Sequence, residues 1–194
     1  MTLVKPNSPL YTKQGLWSLF LMCVLPLHFW TLILAFRDLS WLIDRSNLWD
    51  AITVASYGMV FAFVESMLIF LIAILLGFLV PKYWDYQHRT ALLSILVIIT
   101  ALWAMVDQLF ALLNVSLPGG LLYFIAQQGH PLRVLYIIAL LLVAPTVLIP
   151  TYLILKSDKV FKMVRGLIGR FTLLAAFYLL FDVIGLIIVV IRNV

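Results

Sequence analysis

Charge is the scarcest commodity in this sequence. Only 11% of its 194 residues are Asp, Glu, Lys or Arg, while 65% are hydrophobic. A soluble domain needs roughly a quarter of its residues charged to wet its surface, so a water-soluble globule is excluded. Cysteine is scarcer still. Cys23 stands alone, which rules out an internal disulfide and any CxxC redox or metal pair. Catalytic motifs are missing as well: there is no GxSxG, Ser-x-x-Lys, Walker loop, dinucleotide fingerprint or HExxH. His28 sits inside an apolar run, and His88 and His130 fall in loops on opposite sides, so no shared metal site forms from them. These absences argue against an enzyme and give no reason to expect a cofactor or a metal. Internal repeats and low-complexity segments are also lacking.

What the chain does have is long apolar runs. They lie at 16–36, 54–80, 91–113, 132–155 and 171–191. Each is long enough, as a helix, to cross the ~30 Å hydrocarbon core of a bilayer. The expected fold is therefore an all-α integral membrane protein, a five-transmembrane-helix bundle forming a single domain over 1–194. The polar tail 1–15 precedes it. The first run exceeds the ~7–15 residues of a signal-peptide core, and no small-x-small cleavage site follows, so it is read as an uncleaved span. The stretch 51–80 is the most continuous, and the rest of the chain is expected to organise around it. Ala55, Gly58, Ala62, Ser66, Ala73 and Gly77 recur along one side of it, the pattern that lets helix backbones approach closely in lipid. Glu65 flanks that stripe and is expected to point into the bundle.

Between the runs, Trp41 and Trp49 in 37–50, and Tyr83, Trp84 and Tyr86 in 82–90, mark membrane interfaces. The segment 115–131 holds an apolar piece, 121–126, too short to cross, so an interfacial turn or shallow re-entrant segment is expected between spans 3 and 4. Asn114-Val115-Ser116 is a formal glycosylation sequon at a span's end and is discounted. Pro26 predicts a kink in the first span, and Pro145 with Pro150 a bend or break in the fourth, because each removes a helix hydrogen bond. Thr146 and Thr151 stand where they could satisfy some of the freed groups. Before span 5, residues 156–170 form a basic amphipathic linker. Val160, Met163, Val164, Leu167, Ile168 and Phe171 follow one helical face, with Lys156, Lys159, Lys162 and Arg165 opposite and Arg170 at the end. That is the pattern of a helix lying on an anionic leaflet, and it makes anionic lipid at the cytoplasmic face an expected partner alongside the bilayer itself.

Five spans put the termini on opposite sides. Nine basic residues (Lys5, Lys13, Lys82, Arg89, Lys156, Lys159, Lys162, Arg165, Arg170) fall on the N-terminal side and four (Arg37, Arg45, Arg133, Arg192) on the other. The positive-inside rule then predicts a cytoplasmic N-terminus, with the cytoplasmic (plasma) membrane as the site. The net charge of +5 is accounted for by these loops, and no nucleic-acid partner is implied.

The candidate polar site is intramembrane: Glu65, Asp107 and Asp182, with Gln108 and His28. Asp107 and Gln108 share a small, polar face with Thr100, Ala104 and Ala111, and Asp182 shares one with Ala175, Tyr178 and Gly185. An acid at mid-span costs about 2.5–3.5 kcal/mol on insertion scales. Either the three acids face a common centre and serve a cation, proton or polar solute, or each is neutralised by protonation or hydrogen bonds and fixes helix packing. The leading expectation for function is an accessory or scaffold component of a membrane assembly, with other membrane subunits as partners. The alternative is a cation- or proton-linked small-solute transporter using Glu65, Asp107 and Asp182. A weaker one is a membrane-embedded lipid-modifying enzyme drawing on Asp38, Asp107 or His130.

Overall fold

The computed structural model describes residues 10–81, 84–114, 116 and 118–194. Its helices are α1 (Lys13–Arg45), α2 (Leu48–Leu79), α3 (Tyr86–Leu112), α4 (Gly119–Ala126), α5 (Pro131–Lys156) and α6 (Asp158–Asn193), and no strand occurs among the described residues. All but α4 are long and apolar enough to cross a membrane. The chain is a multi-pass, all-α membrane bundle. The tail over 1–9, Lys82 and Tyr83 of the aromatic loop, Val115 of the sequon and Leu117 lie outside the described residues.

Local chemistry sets the helix ends. Thr12 caps α1 by accepting from the Gly15 backbone N–H at 3.1 Å, and Asn47 caps α2 by accepting from Asp50 N–H at 2.9 Å. Each oxygen satisfies a donor that the first helical turn leaves free. Pro131 opens α5 at a position where its missing N–H costs nothing. Ser157 alone separates α5 from α6, ending one helix and capping the next. The apolar piece after span 3 is α4. Its 8 residues reach about 12 Å, too short to cross, and it packs only on α5.

The most deeply buried helix is α1, not the stretch 51–80. α1 touches α2, α3 and α6, and Leu19, Leu21, Met22, Cys23 and Val24 are fully buried. α2 is more apolar, yet Leu68, Leu71, Ile72 and Leu75 all point outward. The reason is physical: lipid tails are as apolar as leucine, so apolarity by itself does not draw a helix to the centre of a membrane bundle. Packing does, and the small residues of α2 show where. Ala62, Ser66, Ala73 and Gly77 are buried, and a side chain at Gly77 would collide with the Tyr11 hydroxyl. On the α6 side, a Cβ at Gly185 would lie 3.3 Å from the Ser56 carbonyl oxygen.

Two expectations about helix continuity are corrected. α5 runs unbroken through Pro145 and Pro150. The Thr146 hydroxyl bonds the Val143 carbonyl at 2.7 Å and that of Thr151 the Val147 carbonyl at 2.7 Å. Neither is a carbonyl the prolines free, which are those of Leu141 and Thr146, yet the helix holds through both. The basic segment 156–170 is likewise not a separate helix lying on the leaflet. It is the start of α6, which continues for 36 residues, about 54 Å, through the fifth span. Its apolar face is occupied inside the bundle: Val164 and Ile168 pack with Met22, Ala91 and Ile154. Lys156, Lys159, Lys162, Arg165 and Arg170 remain exposed on the other side.

Candidate functional site

The best-defined polar site joins the first helix to the last. His28 follows Pro26 on α1 and is fully buried; Asp182 on α6 is 7% exposed. The imidazole Nε2 lies 2.8 and 3.0 Å from the two Asp182 carboxyl oxygens, and Nδ1 lies 2.9 Å from the Val24 carbonyl. The Tyr178 ring stacks on the imidazole, 5.8 Å between centroids and 14° from parallel. Around them Phe20, Leu21, Val24 and Ala175 close the α1–α6 contact.

The geometry fixes the protons. A carbonyl can only accept, so Nδ1 carries hydrogen. Nε2 faces carboxyl oxygens at hydrogen-bond distance, and two bare lone pairs there would repel. A proton therefore lies between Nε2 and Asp182. It belongs either to an imidazolium facing a carboxylate or to a carboxylic acid facing a neutral ring. Both forms are neutral as a pair, which is how two ionisable groups persist at this depth.

The other sequence-selected residues stand apart. Gln108 accepts a hydrogen bond from the Trp30 indole N–H. Glu65 is exposed and lines a groove of about 430 Å³ between α1 and α2, together with Thr31, Ala35, Asp38, Gly58 and Ala62. The expectation that Glu65 points into the bundle is therefore corrected: the stripe it flanks is buried, but the turn of the helix carries its own side chain to the groove's open edge. Asp107 is also exposed, on the C-terminal half of α3, whose buried residues all lie between Arg89 and Val97. Among the described residues, the ion pairs are His28–Asp182, Arg37–Asp38 and Arg192–Asp50, so neither Glu65 nor Asp107 belongs to one. Nor does any group of three His, Cys, Asp or Glu side chains come together. The acids do not share a centre. Asp38 is held by Arg37 at 2.7 and 3.0 Å, and His130 is exposed at the start of α5.

Arg89 is the residue the sequence reading placed wrongly. Counted there as a loop charge, it is 1% exposed. Its guanidinium donates to the carbonyls of Leu10 at 2.8 Å and Pro81 at 3.0 Å, tying the segment before α1 to the end of α2. A cation beside the last carbonyls of a helix also meets the negative end of its dipole. Next to it the Tyr11 hydroxyl donates to the Ile74 carbonyl at 3.0 Å. Burial pushes the Tyr11 phenol above its ordinary value, against the opposing pull of Arg89. The one sequence signal was position: Arg89 stands eight residues past Pro81, within side-chain reach of a helix end.

The basic residues of α6 are partly engaged. Arg165 donates to the Gln87 side-chain oxygen at 2.7 Å, and Lys156 at the end of α5 donates to the Tyr152 hydroxyl at 2.8 Å. Comparison with protein-family models, with curated protein sequences and with solved structures finds no match to this chain.

Proposed function

We propose that this protein is a non-enzymatic component of a membrane assembly, and that a transmembrane helix of a partner protein covers the α1–α2 groove. The observation that carries this reading is the exposure of Glu65 at mid-helix, outside every ion pair among the described residues. Left against hydrocarbon, such a carboxyl costs about 2.5–3.5 kcal/mol. A partner helix with a cationic or hydrogen-bond-donating side chain at that depth removes the cost. The groove suits a helix, because Ala35, Gly58 and Ala62 keep its walls low. Asp107 on the exposed half of α3 offers a second contact of the same kind. The N-terminus lies in the cytoplasm of a cell whose plasma membrane holds the protein, and Lys159, Lys162 and Arg170 meet anionic lipid on that side. The charge asymmetry of the loops supports both statements.

Extraction of native membranes into polymer-bounded lipid discs tests the reading. The expected result is a defined complex larger than the 22.1 kDa chain, weakened by Glu65→Leu and abolished by Gly58→Trp. A particle containing only the monomer, or a complex indifferent to both changes, overturns it.

A second reading rests on the His28–Asp182 pair, which holds a proton at membrane depth: a proton-linked carrier. Proton-driven flux in reconstituted vesicles that disappears with Asp182→Asn supports it, and the absence of flux with a folded protein removes it.

A further inference from the structure

α2 and α3 both pack along α1, and they draw together near the loop that joins them. Away from that loop a slot of about 410 Å³ runs between them with α1 as its floor. Cys23 and Leu27 of α1, Ile72 and Ala73 of α2, and Val97 and Ala104 of α3 form its walls. Its two ends differ. One is closed: Leu19, Cys23, Ala73, Leu93 and Val97 form a continuous buried cluster, with Tyr11 and Ile74 packed behind it. The other end is open and carries Trp30 and Gln108.

The polar end has a defined hydrogen-bonding sense. The Gln108 carbonyl oxygen is engaged by the Trp30 indole N–H. That leaves the amide –NH₂ of this lining residue as a donor for whatever occupies the mouth. A ligand that meets it must accept a hydrogen bond. Between Leu93 and Gln108 the slot follows α3 for fifteen residues, about 22 Å, which exceeds the ~15 Å of hydrocarbon in one leaflet. Spread over that length, the volume is a channel for one hydrocarbon chain, not a chamber for a compact solute. An apolar cavity of this size with a few placed polar groups is the usual form of a small-molecule site.

We propose that this slot binds one acyl chain of a membrane phospholipid. The chain's end is seated against Leu76 and Leu96, above the buried cluster of Cys23, Ala73 and Leu93, and its ester carbonyl accepts from the Gln108 amide. The second chain stays in the bilayer. The site is separate from the α1–α2 groove that carries the proposed partner helix, so either assignment stands or falls alone.

The test uses the full chain in lipid discs containing a trace of phosphatidylcholine with a photoreactive group near the end of one acyl chain. After illumination, labelled peptides are mapped by mass spectrometry. Label on Leu76 and Leu96 is expected to exceed, several-fold per residue, the label on Leu140 and Leu148, which face lipid on α5. Ala104→Phe, which fills the slot from an exposed position, removes that excess. Gln108→Leu reduces it and leaves the α5 label unchanged. Helicity and gel-filtration profile identify variants that remain folded. Equal labelling of slot and α5 residues overturns the proposal, as does an excess that survives Ala104→Phe in folded protein.

Discussion

Asp182 and Glu65 are the same kind of residue in the same kind of place, an acid near the middle of an apolar helix, and the fold treats them in opposite ways. Asp182 is sunk against α1, bonded through both oxygens to His28 and roofed by Tyr178. Glu65 is left on the rim of a groove with no ion pair of its own. The difference is one of partners, not of sequence context. Asp182 found a histidine on the neighbouring helix α1, which packs on α6 through Phe20, Leu21, Val24 and Ala175. Glu65 shares its groove with Ala35, Gly58 and Ala62 and with the acid Asp38, and among the described residues no cation pairs with it. A buried acid with a partner is part of the internal architecture. An exposed acid without one is a vacancy on the surface, and it directs attention outward.

The sharpest way to break this comparison is to remove one half of the buried pair. His28→Ala or Asp182→Ala should each lower stability by roughly 3–5 kcal/mol, because the remaining group is left buried and unpaired. Equilibrium unfolding in mixed micelles measures it. The double change His28→Leu with Asp182→Leu should cost far less than the sum. Additive losses would show that the two side chains do not act as a unit.

Arg89 extends the comparison to a buried cation held by carbonyls instead of an acid. Arg89→Met should lose on the order of 3 kcal/mol through its charged hydrogen bonds, and proteolysis should then cut near Leu10 sooner than in the parent. If the segment around Leu10 stays protected, the clasp does not hold it. The smallest effect belongs to the exposed acids. Glu65→Gln and Asp107→Asn should each change the stability of the isolated chain by no more than about 0.5 kcal/mol. A large loss from either would mean that these carboxyls have partners inside the bundle, and the contrast with Asp182 would collapse.

Much of the architecture was legible in residue order. Long apolar runs fix the spans because a bilayer has one thickness, whereas the helix ends at Asn47, Pro131 and Ser157 emerged only with the fold. The pair at the centre was only half legible. His28 and Asp182 could each be recognised as costly at their depth, but they are 154 residues apart, and no periodicity within either helix says which other helix it meets. Arg89 was misread for the same reason: a basic residue beside a span looks identical whether its side chain turns to water or folds back onto a helix end. The prolines of α5 misled in the other direction, since a helix already satisfied elsewhere tolerates two missing bonds.

Sequence by itself determined that this chain lives in a membrane as a bundle of helices, since apolar length and the shortage of charge leave no other solvent for it. Tertiary structure alone decided that α1 is the most deeply buried helix, that Asp182 is sheltered while Glu65 is not, and that α2 and α3 diverge over α1 to leave a slot. In hydrocarbon, where greasiness confers no preference for the interior, those choices rest on which small and polar side chains happen to meet across helices, and that is a property of the fold.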